Sequence, residues 1–158
     1  MSDSVTPDTF RASLKRITDH VQERPLDATL EADLNRTFPA DGEVYRQILE
    51  GCQGAIAAGW MCNREGGGIK FGRVIKPAPE LHGFSVDVVD MNAIAGPHHR
   101  HPNGEIDLVM PLTESAKFDG HGAGWVVYGP NSAHAPTVSD GRALVLYLLP
   151  QGAIEFTR

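Results

Sequence analysis

The sequence predicts a mainly β domain entered through helices, and three observations predict it. The first third carries apolar residues at helical spacing, the chain then passes through Gly66-Gly67-Gly68, and beyond that point short β-prone runs alternate with Gly, Pro, Asn and Asp. Such evenly punctuated strands close into a sandwich or barrel. Residues 1–65 are therefore expected to form a helical segment that packs on a β-barrel of residues 66–158, because helices this small bury too little to stand alone.

Phe10, Leu14, Ile17 and Val21 draw one apolar stripe, with Thr6 as N-cap and Pro7 at the first helical position. Leu30 and Leu34, ahead of Phe38-Pro39, predict a second short helix starting at Asp27. After Asp41 as N-cap, Val44, Ile48, Cys52 and Ile56 keep a four-residue spacing through an alanine-rich stretch, which predicts the third helix. Strands are predicted over 69–75, 84–91, 93–99, 105–112, 124–128, 133–138 and 143–149.

A length of 158 residues suits one domain with a proper core. The formal charge of −6, with acids and bases mixed along the chain, gives no basic face for nucleic acid and no polybasic tract for a membrane surface. Small molecules are the expected partners. The longest apolar stretch, 143–149, is too short to span a bilayer, and no N-terminal run fits a signal peptide, so a cytoplasmic protein is expected. Cys52 and Cys62 fit reduced, structural thiols better than a disulfide framework.

The chemistry concentrates in Gly96-Pro97-His98-His99-Arg100-His101-Pro102-Asn103-Gly104-Glu105 and in one distant histidine, His134. On an extended strand His99 and His101 share a face while His98 and Arg100 point the other way. Pro102-Asn103-Gly104 is a strong turn sequence, and a hairpin there brings the Glu105 carboxylate back beside the imidazoles. A fourth ligand comes from the strand and turn ending in His134. Three imidazoles and one carboxylate suit a divalent transition metal (Fe, Mn, Ni, Cu or Zn) rather than Ca or Mg, which prefer all-oxygen shells. Four protein ligands in a six-coordinate site leave two positions open for water or substrate. A one-residue slip in register would exchange His98 for His99, and the spacing to His101 and Glu105 favours His99.

This arrangement resembles the two motifs of the cupins: a glycine, His-x-His, three residues and Glu, then later a glycine, a Pro/Gly turn and a closing histidine. The second motif is looser, with Gly129-Pro130-Asn131-Ser132-Ala133-His134 placing asparagine where glycine is usual, and asparagine tolerates the left-handed conformation. The resemblance covers residue 66 to the C-terminus. It implies a double-stranded β-helix, or jelly-roll barrel, with the site inside and, as is common among cupins, a homodimer.

Over nearly its full length the chain further resembles the 4-hydroxylaminobenzoate lyases. The segments that carry this are Gly-Gly-Gly-Ile-Lys-Phe, Gly-Pro-His-His-Arg-His-Pro-Asn-Gly-Glu-Ile-Asp, Gly-Trp-Val-Val-Tyr-Gly-Pro-Asn-Ser-Ala-His and the closing Leu-Tyr-Leu-Leu-Pro-Gln-Gly-Ala-Ile-Glu-Phe. The implied reaction converts 4-hydroxylaminobenzoate and water to 3,4-dihydroxybenzoate and ammonia, a step in nitroaromatic breakdown. It is redox-neutral overall, so the metal would serve as a Lewis acid. Glu105, if not ligated, or His98 would give general acid help as catalytic residues.

A small aromatic carboxylate also needs a cation, since arginine's fork suits a carboxylate. Of Lys70, Arg73, Arg100 and Arg142, Arg73 is the first choice because an early strand often walls a cupin pocket, with Arg100 as a second. Trp125, Tyr128 and Tyr147 read as barrel wall, Tyr147 being able to offer a substrate a hydroxyl, and His121 reads as an exposed turn residue. Two other readings use the same ligands: an Fe(II) dioxygenase acting on a small aromatic or diketone, and a non-catalytic small-molecule-binding cupin.

Overall fold

In the computed structural model, residues 7–157 are described, and the Thr6 cap lies outside them. Helix α1 spans Pro7–Val21 and buries the predicted stripe of Phe10, Leu14, Ile17 and Val21. Helix α2, Ala28–Thr37, starts as expected at Asp27, whose carboxylate accepts from the Leu30 N–H at 3.0 Å. Helix α3 spans Glu43–Ala58, and its N-cap is Gly42, not Asp41. Residues 39–42 form a turn closed by the Gly42 N–H on the Pro39 carbonyl (2.9 Å), which leaves Asp41 inside the turn rather than at the helix start. Among the described residues no helix is long and apolar enough to cross a membrane.

The rest is antiparallel β-structure. The strands are β1 (Arg64–Gly66), β2 (Ile69–Ile75), β3 (Phe84–Ala95), β4 (His99–His101), β5 (Glu105–Pro111), β6 (Lys117–Phe118), β7 (Gly124–Tyr128), β8 (Ser132–His134), β9 (Thr137–Pro150) and β10 (Glu155–Phe156). One sheet runs β1-β2-β3-β9-β5-β7, with β6 also on β9, and the other runs β10-β4-β8. The two expected runs 84–91 and 93–99 divide differently. β3 continues to Ala95 through a bulge at Ala93 (φ +47°), and Gly96-Pro97 then releases the chain into the small sheet. The short β1, β6 and β10 carry too few residues for a periodic signal.

Each face of the large sheet is buried for a different reason. Ile106, Leu108, Met110, Leu144, Leu146 and Leu148 pack with the helices in one core cluster. Val109, Val126, Val145, Tyr147 and Leu149 face the other way, in a second cluster inside the barrel. This double burial makes β5 and the C-terminal half of β9 read as nearly continuous apolar runs. The alternation in β5 sends Glu105 and Asp107 to the barrel side.

Helix α2 seals the exposed edge at β7. Asn35 donates to the Trp125 carbonyl (2.9 Å) and accepts from the Trp125 N–H (2.8 Å), while Glu31 accepts from the Val127 N–H (2.8 Å). These side chains satisfy backbone groups that an open edge would offer to another strand. Cys52 and Cys62 are free, buried thiols, and burial pushes Cys62 up to about 12, so neither is a nucleophile at neutral pH.

Candidate metal centre

The hairpin expected at Pro102-Asn103-Gly104 does not form, because β4 and β5 lie in different sheets. The turn carries the chain from the small sheet to the large one, and Glu105 faces the histidines across the barrel rather than along a shared ladder. β4 pairs with β10 on one side and with β8 on the other, the latter in a register that sets His99 opposite His134 and His101 opposite Ser132. Asn131 adopts the left-handed conformation the looser second motif requires (φ +67°).

His99, His101, Glu105 and His134 form one cluster whose ligand atoms all lie within 4.8 Å of one another. The nitrogen Nε2 stands 3.8 Å from Glu105 Oε1 in His99 and 2.9 Å from it in His101, while His134 Nε2 is 3.9 Å from Oε2. His101 and Glu105 are fully buried and His134 keeps 13% side-chain exposure. Apart from the 2.9 Å contact between His101 Nε2 and Glu105 Oε1, the three Nε2 atoms and both Glu105 oxygens have no hydrogen-bond partner. Polar atoms buried around one point with so few partners cost several kcal/mol unless something bridges them, roughly 1–3 kcal/mol for each unpaired neutral group. A divalent transition metal fits that need, and its chemistry suits this nitrogen-rich donor set.

Groups behind the imidazoles complete the arrangement. His101 Nδ1 lies 3.1 Å from the Ser132 hydroxyl, and His134 Nδ1 donates to Asp119 Oδ2 at 2.6 Å. A proton on Nδ1 leaves the Nε2 lone pair free for a metal. Burial, with the neighbouring imidazoles adding to it and Glu105 opposing, lowers His99 to about 4, so its ring stays neutral at physiological pH. Burial would raise Asp119, but hydrogen bonds from His134, Tyr128 and the Thr137 N–H outweigh it and hold the carboxylate below its usual range.

Sequence reasoning missed Asp107 and Asp119. Asp107 follows Glu105 by two residues on the same strand face, fully buried. Burial and the charge of Glu105 raise it well above the carboxylate range, while Glu105, buried too, is held down by Asp107 and the imidazoles. Of the pair, Asp107 keeps the proton and Glu105 the charge. Period-two alternation from Glu105 would have found Asp107, and Asp119-Gly120 is an Asp-Gly hairpin-turn signal.

A cavity of about 470 Å³, within the range of small-molecule sites, opens against His99. Ile69, Met91 and Phe156 give it an apolar wall, and Arg73, Asp87 and Tyr147 give it a polar one. Arg73 is held by Asp87 through two parallel bonds, Nε to Oδ1 at 2.8 Å and Nη2 to Oδ2 at 3.1 Å. Arg100 lies on the opposite face of β4, bonded to Glu155 and Asn131, and His98 is exposed with Nδ1 bonded to Thr157 Oγ1. Neither reaches the cavity, because strand alternation that turns His99 and His101 inward turns their neighbours out. Arg142 is paired with Asp90, and His121 is exposed.

A helix-covered antiparallel barrel with an inward-facing set of three histidines and a glutamate defines a cupin, with a centre of the type that holds a divalent metal. Residues 12–156 match the family described as PnbB: 4-hydroxylaminobenzoate lyase. The chain is 31% identical over 153 residues to the 4-hydroxylaminobenzoate lyase of Pseudomonas putida, covering 86% of this chain and 87% of that one. It is also 31% identical over 162 residues to the 4-hydroxylaminobenzoate lyase of Nocardioides sp. (strain LMS-CY), covering 97% and 95%. This chain belongs to the 4-hydroxylaminobenzoate lyase family. Among solved structures, an RmlC-like cupin protein from Ralstonia eutropha matches at 14% identity and a TM-score of 0.39, over 53% of this chain and 57% of that one. The polyketide cyclase RemF from Streptomyces resistomycificus matches at 13% and 0.43, over 58% and 72%.

Proposed function

We propose that the protein converts 4-hydroxylaminobenzoate and water to 3,4-dihydroxybenzoate and ammonia. The observation that carries this reading is the cavity, which joins an apolar slot for a flat ring to a cation and to an edge of the candidate metal centre. The activity for which the two relatives are named supplies the substrate. The N–O bond is reduced as a ring carbon is oxidised, so the balance needs no external oxidant.

In this reading Arg73 binds the benzoate carboxylate, oriented by Asp87, and the apolar wall holds the ring with its nitrogen toward His99. His99, His101, Glu105 and His134 would hold the metal, which supplies Lewis-acid polarisation of the departing oxygen. Tyr147, kept protonated by burial and by the acidic groups around it, offers its hydroxyl from the polar wall. Of the two acid candidates, Glu105 is the one at the centre, and its charge assigns it to ligation.

Metal-loaded protein given 4-hydroxylaminobenzoate should release ammonia and 3,4-dihydroxybenzoate in equal amounts with no oxygen uptake. Oxygen consumption during turnover would point instead to a dioxygenase, and binding without product to a sensor or store. R73M should raise KM about 10–100-fold with a smaller change in kcat, since a charged hydrogen bond contributes about 1.5–3 kcal/mol. An unchanged KM in R73M would remove Arg73 from substrate binding.

A further inference from the structure

We propose that Asp119 and Tyr128 are positioning residues, a clamp that fixes the His134 ring so that its Nε2 faces Glu105. The proposal rests on the metal-centre reading and is independent of which substrate the protein takes.

The four ligands are not held alike. His99 and His101 are almost completely buried on β4, between two neighbouring strands, where packing restrains both rings and the Ser132 hydroxyl, 3.1 Å from Nδ1, adds to it for His101. His134 ends a three-residue strand at the edge of the small sheet and is the most exposed of the four. A ring in that position needs another restraint, and Asp119 supplies it. Its Oδ2 accepts from His134 Nδ1 and from the Tyr128 hydroxyl, both at 2.6 Å. Its Oδ1 accepts from the Thr137 N–H at 2.9 Å, three residues beyond His134. One carboxylate thus ties the histidine to strands on either side. The Tyr128 ring packs against both His134 and His101, with centroids 4.5 and 5.6 Å away.

The backbone is bent to present this group. Asp119 has φ +49° and Gly120 φ +84°, and Phe118 and His121 exchange two backbone hydrogen bonds of 2.8 Å across them. Two consecutive residues at positive φ are the signature of a type I′ turn, in which asparagine serves as well as aspartate. A turn role alone would be satisfied by either residue, whereas carrying negative charge to His134 Nδ1 requires aspartate. That difference allows a test.

Purified D119N and Y128F, stripped of metal, would be titrated with Co(II) alone, reading dissociation constant and visible absorption, with melting temperature as the check on fold. D119N should melt near wild type when metal-free, bind Co(II) 10–100-fold more weakly, as loss of a group supporting a ligand does elsewhere, and show an altered spectrum. Y128F, which keeps the carboxylate and loses its tether, should weaken binding by less. D119N binding Co(II) as tightly as wild type with an unchanged spectrum would overturn the clamp alone. Wild type taking up no Co(II) would overturn both the clamp and the metal centre, leaving any ammonia-releasing activity to be explained otherwise.

Discussion

Replacing Glu105 by glutamine, or His101 by alanine, is expected to empty the candidate metal centre and to abolish ammonia release. Glu105 brings the only charged oxygen to the cluster, and His101 Nε2 is the nitrogen nearest to it, at 2.9 Å. Lewis-acid polarisation contributes several kcal/mol to a reaction that depends on it, and each 1.36 kcal/mol is a factor of ten, so turnover should fall by about 100-fold or more. Metal content, measured by elemental analysis, should fall in parallel. The orphaned atoms of the site add a stability readout: metal should raise the melting temperature of wild type and leave that of E105Q nearly unmoved. His121→Ala, on an exposed turn, is the control that should keep both metal and turnover. Full metal content and wild-type ammonia release in both E105Q and H101A would refute the site.

The second large effect is structural and falls on Gly104. Its φ of +87° is the left-handed region, and a Cβ there would sit 2.8 Å from the Tyr128 carbonyl oxygen and 2.7 Å from Leu26 Cδ2. The leucine tip can swing away. The carbonyl cannot, since it belongs to β7 where that strand pairs with Glu105. Left-handed strain of about 1–2 kcal/mol and a backbone clash together put Gly104→Ala at about 3 kcal/mol or more. For a domain of this size that lowers the melting temperature by roughly 6–12 °C. Metal affinity should fall too, because the next residue is the candidate ligand Glu105 and the shift needed to relieve the clash moves its strand. Gly122→Ala, which meets nothing within 4 Å and has no positive φ, should change little. A G104A protein that melts and binds metal like wild type would show that the turn relaxes freely.

Three of the four candidate ligands, His99, His101 and Glu105, were legible for local reasons. His-x-His followed by Glu after three residues is a short pattern, and strand alternation alone separates His99 and His101 from His98 and Arg100. The helices were legible too, because α1 and α3 present their apolar residues at a period that no strand reproduces. Asp107 and Asp119 were not singled out. Alternation from Glu105 points to Asp107 only once Glu105 is assigned to the site, and a turn aspartate resembles any other until its neighbours are known; what marks Asp107 is complete burial beside Glu105, and what marks Asp119 is two short bonds around one oxygen.

The sequence by itself therefore determined the class of fold, the candidate ligand types and which face of β4 His99 and His101 occupy, because each follows from patterns a few residues long. Tertiary structure alone decided that β4 and β5 belong to different sheets, that His134 stands opposite His99, and that Arg73 rather than Arg100 walls the cavity. Those outcomes depend on pairing between strands up to dozens of residues apart. A pairing register is set by how whole faces bury against each other, and no local stretch of chain carries that information.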